Sequence, residues 1–239
     1  MPFLNSKPLN LSSPRTMNLI GKNGMKNLLC FSENMKIYQE HFFQNEVQQR
    51  FYRYTTDCYL FILDGQAFIQ NGDQERSIKK HQGVWLKAGS NNKLVPISHR
   101  FECLIVTFQN STAALTFTEF MQVQSTGTAE KSNSPPSNTR WILSSHPLVK
   151  IEIELIPKKC HGPLQYHRST QKFLVSLTDT IQIIQTGKEH VLEAKSGLIF
   201  TPNSKHKIIN NNEHSVQILN IYSPRVDRDK VLVINKTEH

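Results

Sequence analysis

The feature that most constrains this chain is that it repeats itself. "GVWLKAGSNNKLV" (83–95) aligns with "GLIFTPNSKHKII" (197–209), placing Gly83 on Gly197, Leu86 on Phe200, Ser90 on Ser204 and Lys93 on Lys207. The offset is 114 residues, and it carries in both directions. "MKIYQE" (35–40) falls on "VKIEIE" (149–154), "YRYTTDCYLFIL" (52–63) on "YHRSTQKFLVSL" (166–177), and "CLIVTF" (103–108) on "QILNIY" (217–222). Chance similarity drifts, whereas one offset spans Leu28/Ile142 to Phe108/Tyr222. The chain therefore reads as a duplicated domain.

Each copy reads as β-structure. "KIYQEHFF", "CYLFILDG", "QAFIQNGD", "GVWLKAG" and "CLIVTF" are short, rich in β-branched and aromatic residues, and separated by turn signals such as Asn71-Gly72-Asp73. The second copy answers with "KIEIELIP", "KFLVSL", "GLIFTP" and "VQILNIY", and "IQIIQTGKEHVLEAKSG" alternates on both sides of Gly187 as a hairpin does. Many short strands at this spacing predict an all-β fold of antiparallel sandwiches or barrels, two in tandem. The expected layout is an N-terminal tail over 1–25, a first barrel over 26–125, a polar linker over 126–140 around "EKSNSPPSN", a second barrel over 141–225, and a C-terminal tail or strand over 226–239. "TAALTFTEFMQVQ" (112–124) fits a short helix and a strand extension equally.

Composition narrows the class. The 239 residues, 38% hydrophobic and 20% charged, suffice for one large domain or two small ones. No apolar run approaches the roughly 20 residues of a membrane span. Cys30, Cys58, Cys103 and Cys160 are scattered without a C-x-x-C pair, which points to reduced thiols and a cytoplasmic protein rather than a disulfide framework or zinc site. The N-terminus has no apolar signal core; a disordered tail is preferred there to an organellar import segment. The net charge of +9 favours anionic partners. Its densest runs, at 79–80 and 158–159, are not interleaved with aromatics, so specific nucleic-acid binding is not expected and a solvated basic surface accounts for the charge most simply.

One stretch bears on chemistry. "PLQYHRSTQKFLVSL" (163–177) sets His167 and Gln171 four apart at the edge of an apolar run, where both serve a cation if strand and loop turn inward. Taken alone it is equally a polar loop before a strand. Together with the tandem β-copies, it resembles the cupin superfamily, and specifically a bicupin. That family's first motif is H-x-H with an acidic residue or Gln three or four positions on; its second has a Pro, often a Gly, then a His followed by x3-N. "QYHRSTQ" looks like the first, with Gln165 replacing the first His, His167 retained and Gln171 in the acidic position. "TPNSKHKIIN" looks like the second, with Pro202, His206 and Asn210 in place and Asn203 where Gly is usual.

The resemblance covers about 27–110 and 141–224 and implies jelly-roll (double-stranded β-helix) barrels. It also implies that Gln165, His167, Gln171 and His206 converge in the second one around a divalent metal (Mn, Fe, Ni, Cu or Zn). A slip of one residue would present Lys172 instead of Gln171, because Cys58, seven before Gly65, is the partner of Lys172. In the first copy the offset gives Phe51, Arg53, Asp57 and Asn92, none a His, while Gly65, Gly72-Asp73 and Gly89 persist. The resemblance thus implies a degenerate first barrel that kept the fold and lost the metal.

Other candidates are secondary. His161, beside Cys160, is close enough in sequence to replace a missing ligand, and Lys205, beside His206, to meet an anionic group on a substrate. His81, His99, His190 and His214 fall on turns or outer positions; Tyr52 and Tyr166 read as core or rim packing. Two functions stay open. One is a metal-dependent isomerase, dioxygenase or lyase acting on a small metabolite, with the metal as Lewis acid. The other is a non-catalytic small-molecule-binding or sensor barrel without metal, in which His167 and His206 are simply hydrogen-bonded. Under either, the first barrel reads as a lid or oligomerisation domain, and a homodimer is among the expected partners.

Overall fold

The computed structural model describes residues 9–10, 24–32, 35–43, 50–52, 54–108, 119–134, 138–144, 146–226 and 228–233. Every regular element among them is a β-strand. The chain divides into two compact units, the first barrel drawn from residues 13–129 and the second from residues 1–12 and 130–239.

Strand β1 (Leu9–Asn10) belongs to the second barrel. The first barrel comprises β2 (Gly24–Phe31), β3 (Met35–Phe43), β4 (Arg50–Tyr52), β5 (Cys58–Asp64), β6 (Gln66–Asn71), β7 (Gln74–Lys79), β8 (Gly83–Leu86), β9 (Asn92–Pro96) and β10 (Arg100–Phe108). They form a five-stranded sheet ordered β2-β3-β10-β5-β8 and a four-stranded sheet ordered β4-β9-β6-β7. Leu60, Ile62 and Ile105 of the one meet Ala67, Ile69 and Leu94 of the other in a closed core.

The second barrel continues with β11 (Glu130–Ser134), β12 (Asn138–Ser144), β13 (Lys150–Ile156), β14 (Cys160–His161), β15 (Gln165–His167), β16 (Gln171–Ser176), β17 (Ile181–Gln185), β18 (Lys188–Leu192), β19 (Ser196–Phe200), β20 (His206–Asn210), β21 (Val216–Ser223) and β22 (Lys230–Leu232). Its sheets are ordered β1-β19-β16-β21-β13-β12-β11 and β18-β17-β20-β15-β22, with β14 also on β20. Leu174, Leu198 and Ile218 face Ile181, Ile183 and Ile208 between them. Each such branched side chain contributes roughly 1.5–3 kcal/mol by leaving water.

Local chemistry explains the repeated residues. Gly187 (φ 82°) follows Thr186 (φ 48°) in the two-residue turn joining β17 and β18, the left-handed pair that suits strand twist. Gly83 and Gly197 are equivalent for a packing reason. A Cβ at Gly83 would stand 2.0 Å from the Tyr59 hydroxyl, and one at Gly197 would stand 2.9 Å from the Phe173 ring.

Strand pairing corrects the single offset in two places. Glu40 lies opposite Cys103, and Glu154 opposite Ile218, so Cys103 matches Ile218 and not Gln217. The extra residue belongs to the second copy and falls between His206 and Ile218, because Asn92 and His206 still match at the original offset. Likewise Asn92 lies opposite Tyr52, whereas His206 lies opposite Gln165. The counterparts of Gln165 and His167 are therefore Tyr52 and Tyr54, not Phe51 and Arg53; Arg53 lies outside the described residues. The stretch 126–140 includes β11 and the start of β12, paired from Glu130–Ile142 to Ser134–Asn138. Leu9–Asn10 pairs with β19, and Lys230–Leu232 with β15. Of "TAALTFTEFMQVQ", residues 112–118 lie outside the described set, while Phe120 and Gln124 bridge to Trp85 and Gly83 of β8.

Candidate functional site

The second barrel carries charge where a β-sandwich normally carries aliphatics. In β13, Glu152 and Glu154 lie on the same face as Ile156, which belongs to the core. Glu154 accepts hydrogen bonds from Asn138 Nδ2 (2.8 Å), Asn220 Nδ2 (2.9 Å) and Arg140 Nη2 (3.2 Å). Glu152 accepts from the Tyr222 hydroxyl (2.9 Å) and pairs with Lys150 at 2.6 Å. Glu154 opposes its own burial with the charges of Lys172 and Arg140, which together hold its carboxyl below the usual range.

Lys172 settles the register. It pairs with Phe200 on one side and Tyr222 on the other, and shares its face of β16 with core Leu174. Its ammonium lies 5.7 Å from the Phe200 ring centroid and 5.5 Å from that of Tyr222. The residue is 2% exposed. Among the described residues, its ammonium makes no hydrogen bond and no ion pair within contact distance. Burial pushes its pKa down to about 8, against an upward pull from Glu154.

The sequence-derived set is thereby divided. Gln165, His167 and His206 do come together: Gln165 Nε2 is 3.5 Å from His206 Nε2, and the two imidazole rings stack with centroids 6.2 Å apart. Gln171 is not brought to them, because strand alternation turns it to the face opposite Lys172. Its buried Oε1 has no hydrogen-bond partner. Burial first, and the charge of Lys172 second, push His167 down to about 4 and His206 to about 3, so both imidazoles are neutral at pH 7. His161 and Lys205 are exposed; Cys160 lines a cavity. His99 and His214 are exposed, and His214 pairs with Asp179 at 2.7 Å, while His81 and His190 are half-buried. Fully buried His146, whose Nδ1 accepts from the Leu148 amide, escaped notice in the sequence.

Two cavities adjoin this cluster, both within the second barrel. One, of about 300 Å³, is lined by Arg140, Glu154, Cys160, Gln165 and Lys230 among others. The other, of about 370 Å³, is lined by Lys150, Glu152, His167, Tyr222, Arg228 and Lys230 among others, and by Arg140 again. The first barrel shows why the space exists. Its equivalent ion pair is Lys26–Glu40, at 3.1 Å. Tyr52 donates to Glu40 at 2.5 Å, Lys26 sits over the Tyr38 ring at 4.4 Å, and Tyr54 stacks on Tyr52. Where the first copy has Tyr38, Tyr52 and Tyr54, the second has the smaller Glu152, Gln165 and His167. At the remaining positions Cys58 is answered by Lys172 and Asn92 by His206.

A divalent metal does not fit this donor set. Two imidazoles and a carboxamide supply no compensating charge, the nearby carboxylates are already engaged, and a buried ammonium stands among them. Among the described residues, no group of three or more His, Cys, Asp or Glu is placed to hold a metal ion.

No family model matches the chain, and no curated protein matches it in sequence. Solved structures match it in shape. It is similar to a cupin 2 conserved barrel domain protein from Leptotrichia buccalis, at 11% identity over 91% of this chain and 96% of that one, with a TM-score of 0.66. It is similar to the oxalate decarboxylase OxdC of Bacillus subtilis, at 10% identity over 98% and 81%, with a TM-score of 0.71. It is similar to the protein Ylba from E. coli, at 9% identity over 92% and 91%, with a TM-score of 0.73. The fold is the cupin-type β-barrel of these structures, and this chain carries it as two tandem β-barrels. No helix among the described residues is long and apolar enough to cross a membrane.

Proposed function

We propose that the second barrel is a receptor for a small anionic metabolite, holding it with protein-borne cations rather than through a divalent metal. The observation that carries this reading is Lys172, a residue 2% exposed whose ammonium has no hydrogen-bonding partner among the described residues, inside a barrel bordered by open cavities. Lys150, Arg140, Arg228 and Lys230 line those cavities, against Glu152, Glu154 and Asp229. A buried cation next to such a surface complements carboxylate or phosphate groups. The first barrel, filled at the equivalent positions by tyrosines, reads as the degenerate copy. Metal-dependent isomerase, dioxygenase or lyase chemistry finds less support, because the ammonium occupies the position that would have to supply a carboxylate ligand.

The test is a thermal-shift panel of small carboxylates and phosphates on the full chain in metal-free buffer. Stabilisation by one class of anion, reduced in the Lys230→Glu variant, is expected. Stabilisation by divalent metal alone, with none by any anion, would overturn the reading.

A further inference from the structure

We infer that Lys172 forms a reversible imine with a carbonyl-bearing carboxylate, so that the second barrel captures 2-oxo acids covalently. The inference rests on the anion-receptor reading above and gives its ligand a chemical class. Four observations converge on it. The Lys172 amine is buried between the rings of Phe200 and Tyr222, at 5.7 and 5.5 Å, an environment that desolvates and so activates a lysine nucleophile. Among the described residues, no hydrogen bond or ion pair occupies its nitrogen. Tyr222 and His167 line one adjoining cavity and Glu154 the other, so groups around the amine border open space on two sides. Arg140 and Lys230 line both cavities and supply the charge that a carboxylate beside the carbonyl requires.

The step balances within the site. The Lys172 ammonium gives one proton to His167, the imidazole bordering the larger cavity; the freed nitrogen lone pair attacks the carbonyl carbon, and the carbon–oxygen π pair moves to oxygen, which takes that proton from His167 to become a carbinolamine hydroxyl. The carbinolamine nitrogen then gives a second proton to His167, which passes it to the hydroxyl. Water leaves as the carbon–nitrogen double bond forms. No oxidant or reductant is needed, and hydrolysis by the same route releases the ligand.

The experiment treats full-length protein with pyruvate and sodium cyanoborohydride, followed by intact-mass analysis and peptide mapping. Expected is a single adduct, of pyruvate less one oxygen atom, on the Lys172 peptide. It should be absent with lactate and in Lys172→Arg, and suppressed in wild type by excess lactate, a control that needs no variant to fold. Thermal shifts by pyruvate and lactate are measured in parallel. If both stabilise the protein but Lys172 carries no adduct, or carries no more than the surface lysines, imine formation is refuted and the anion receptor stands. If neither stabilises it and no adduct forms, both readings fail for this class of ligand.

Discussion

Replacing Lys172 with glutamate should turn the second barrel into a metal site. In the wild type, an ammonium roughly 5 Å from a divalent ion opposes it by about 6–7 kcal/mol at an effective dielectric constant of about 20. Solvent and side-chain motion reduce that figure, but even half of it, about 3 kcal/mol, weakens binding by about two orders of magnitude. Lys172→Glu removes the repulsion and supplies a carboxylate on the face that already presents His206, His167 and Gln165. The assay is elemental analysis after dialysis against manganese and zinc, with Lys172→Gln as a folding control. Wild type and Lys172→Gln should stay well below one equivalent; Lys172→Glu should approach one and lose it again when His206→Ala is added. Near-stoichiometric metal in the wild type would refute the reasoning, because it would require the ammonium to lie elsewhere.

Three further outcomes follow from the packing. Glu154→Ala leaves Arg140, Asn138 and Asn220 without their common carboxylate and should cost about 3–5 kcal/mol in urea unfolding, the usual scale for breaking a buried pair. Gly83→Ala, whose Cβ would meet Tyr59 at 2.0 Å, should destabilise severely; Gly72→Ala, with nothing within 4 Å but φ of 57°, should cost only about 1 kcal/mol. Lys172 should give stability an unusual pH slope. Its folded pKa of about 8 lies below the ordinary 10.5, so above pH 8 the unfolded chain binds more protons at this residue. The contribution of Lys172 to stability therefore rises between about pH 8 and 10.5, and the difference between wild type and Lys172→Met in chemical denaturation should show it.

The duplication and its β-strands were legible because alternation and turn residues are local. Registers were less so. One residue added between His206 and Ile218, relative to Asn92 and Cys103, and one between His167 and Lys172, relative to Tyr54 and Cys58, each change which side chain faces inward, and neither leaves a mark in composition. Spacing favoured Gln171, and only the pairing of Lys172 with Phe200 and Tyr222 shows the lysine inside. "KIEIELI" reads as a strand, but which of its faces is buried does not follow from it; in the structure Ile151 and Ile153 are buried on one side and Glu152 and Glu154 on the other. The signal was present in the repeat, since Lys26–Glu40 and Arg140–Glu154 are one ion pair written twice. Tyr222 and Lys230 come from distant strands, which no motif of contiguous residues joins.

The most direct test of the central claim is calorimetric titration of the wild-type chain with the best-binding anion, before and after exhaustive chelation. The account predicts one anion per chain with the same affinity in both preparations. Binding that vanishes on chelation and returns with manganese or zinc would contradict it.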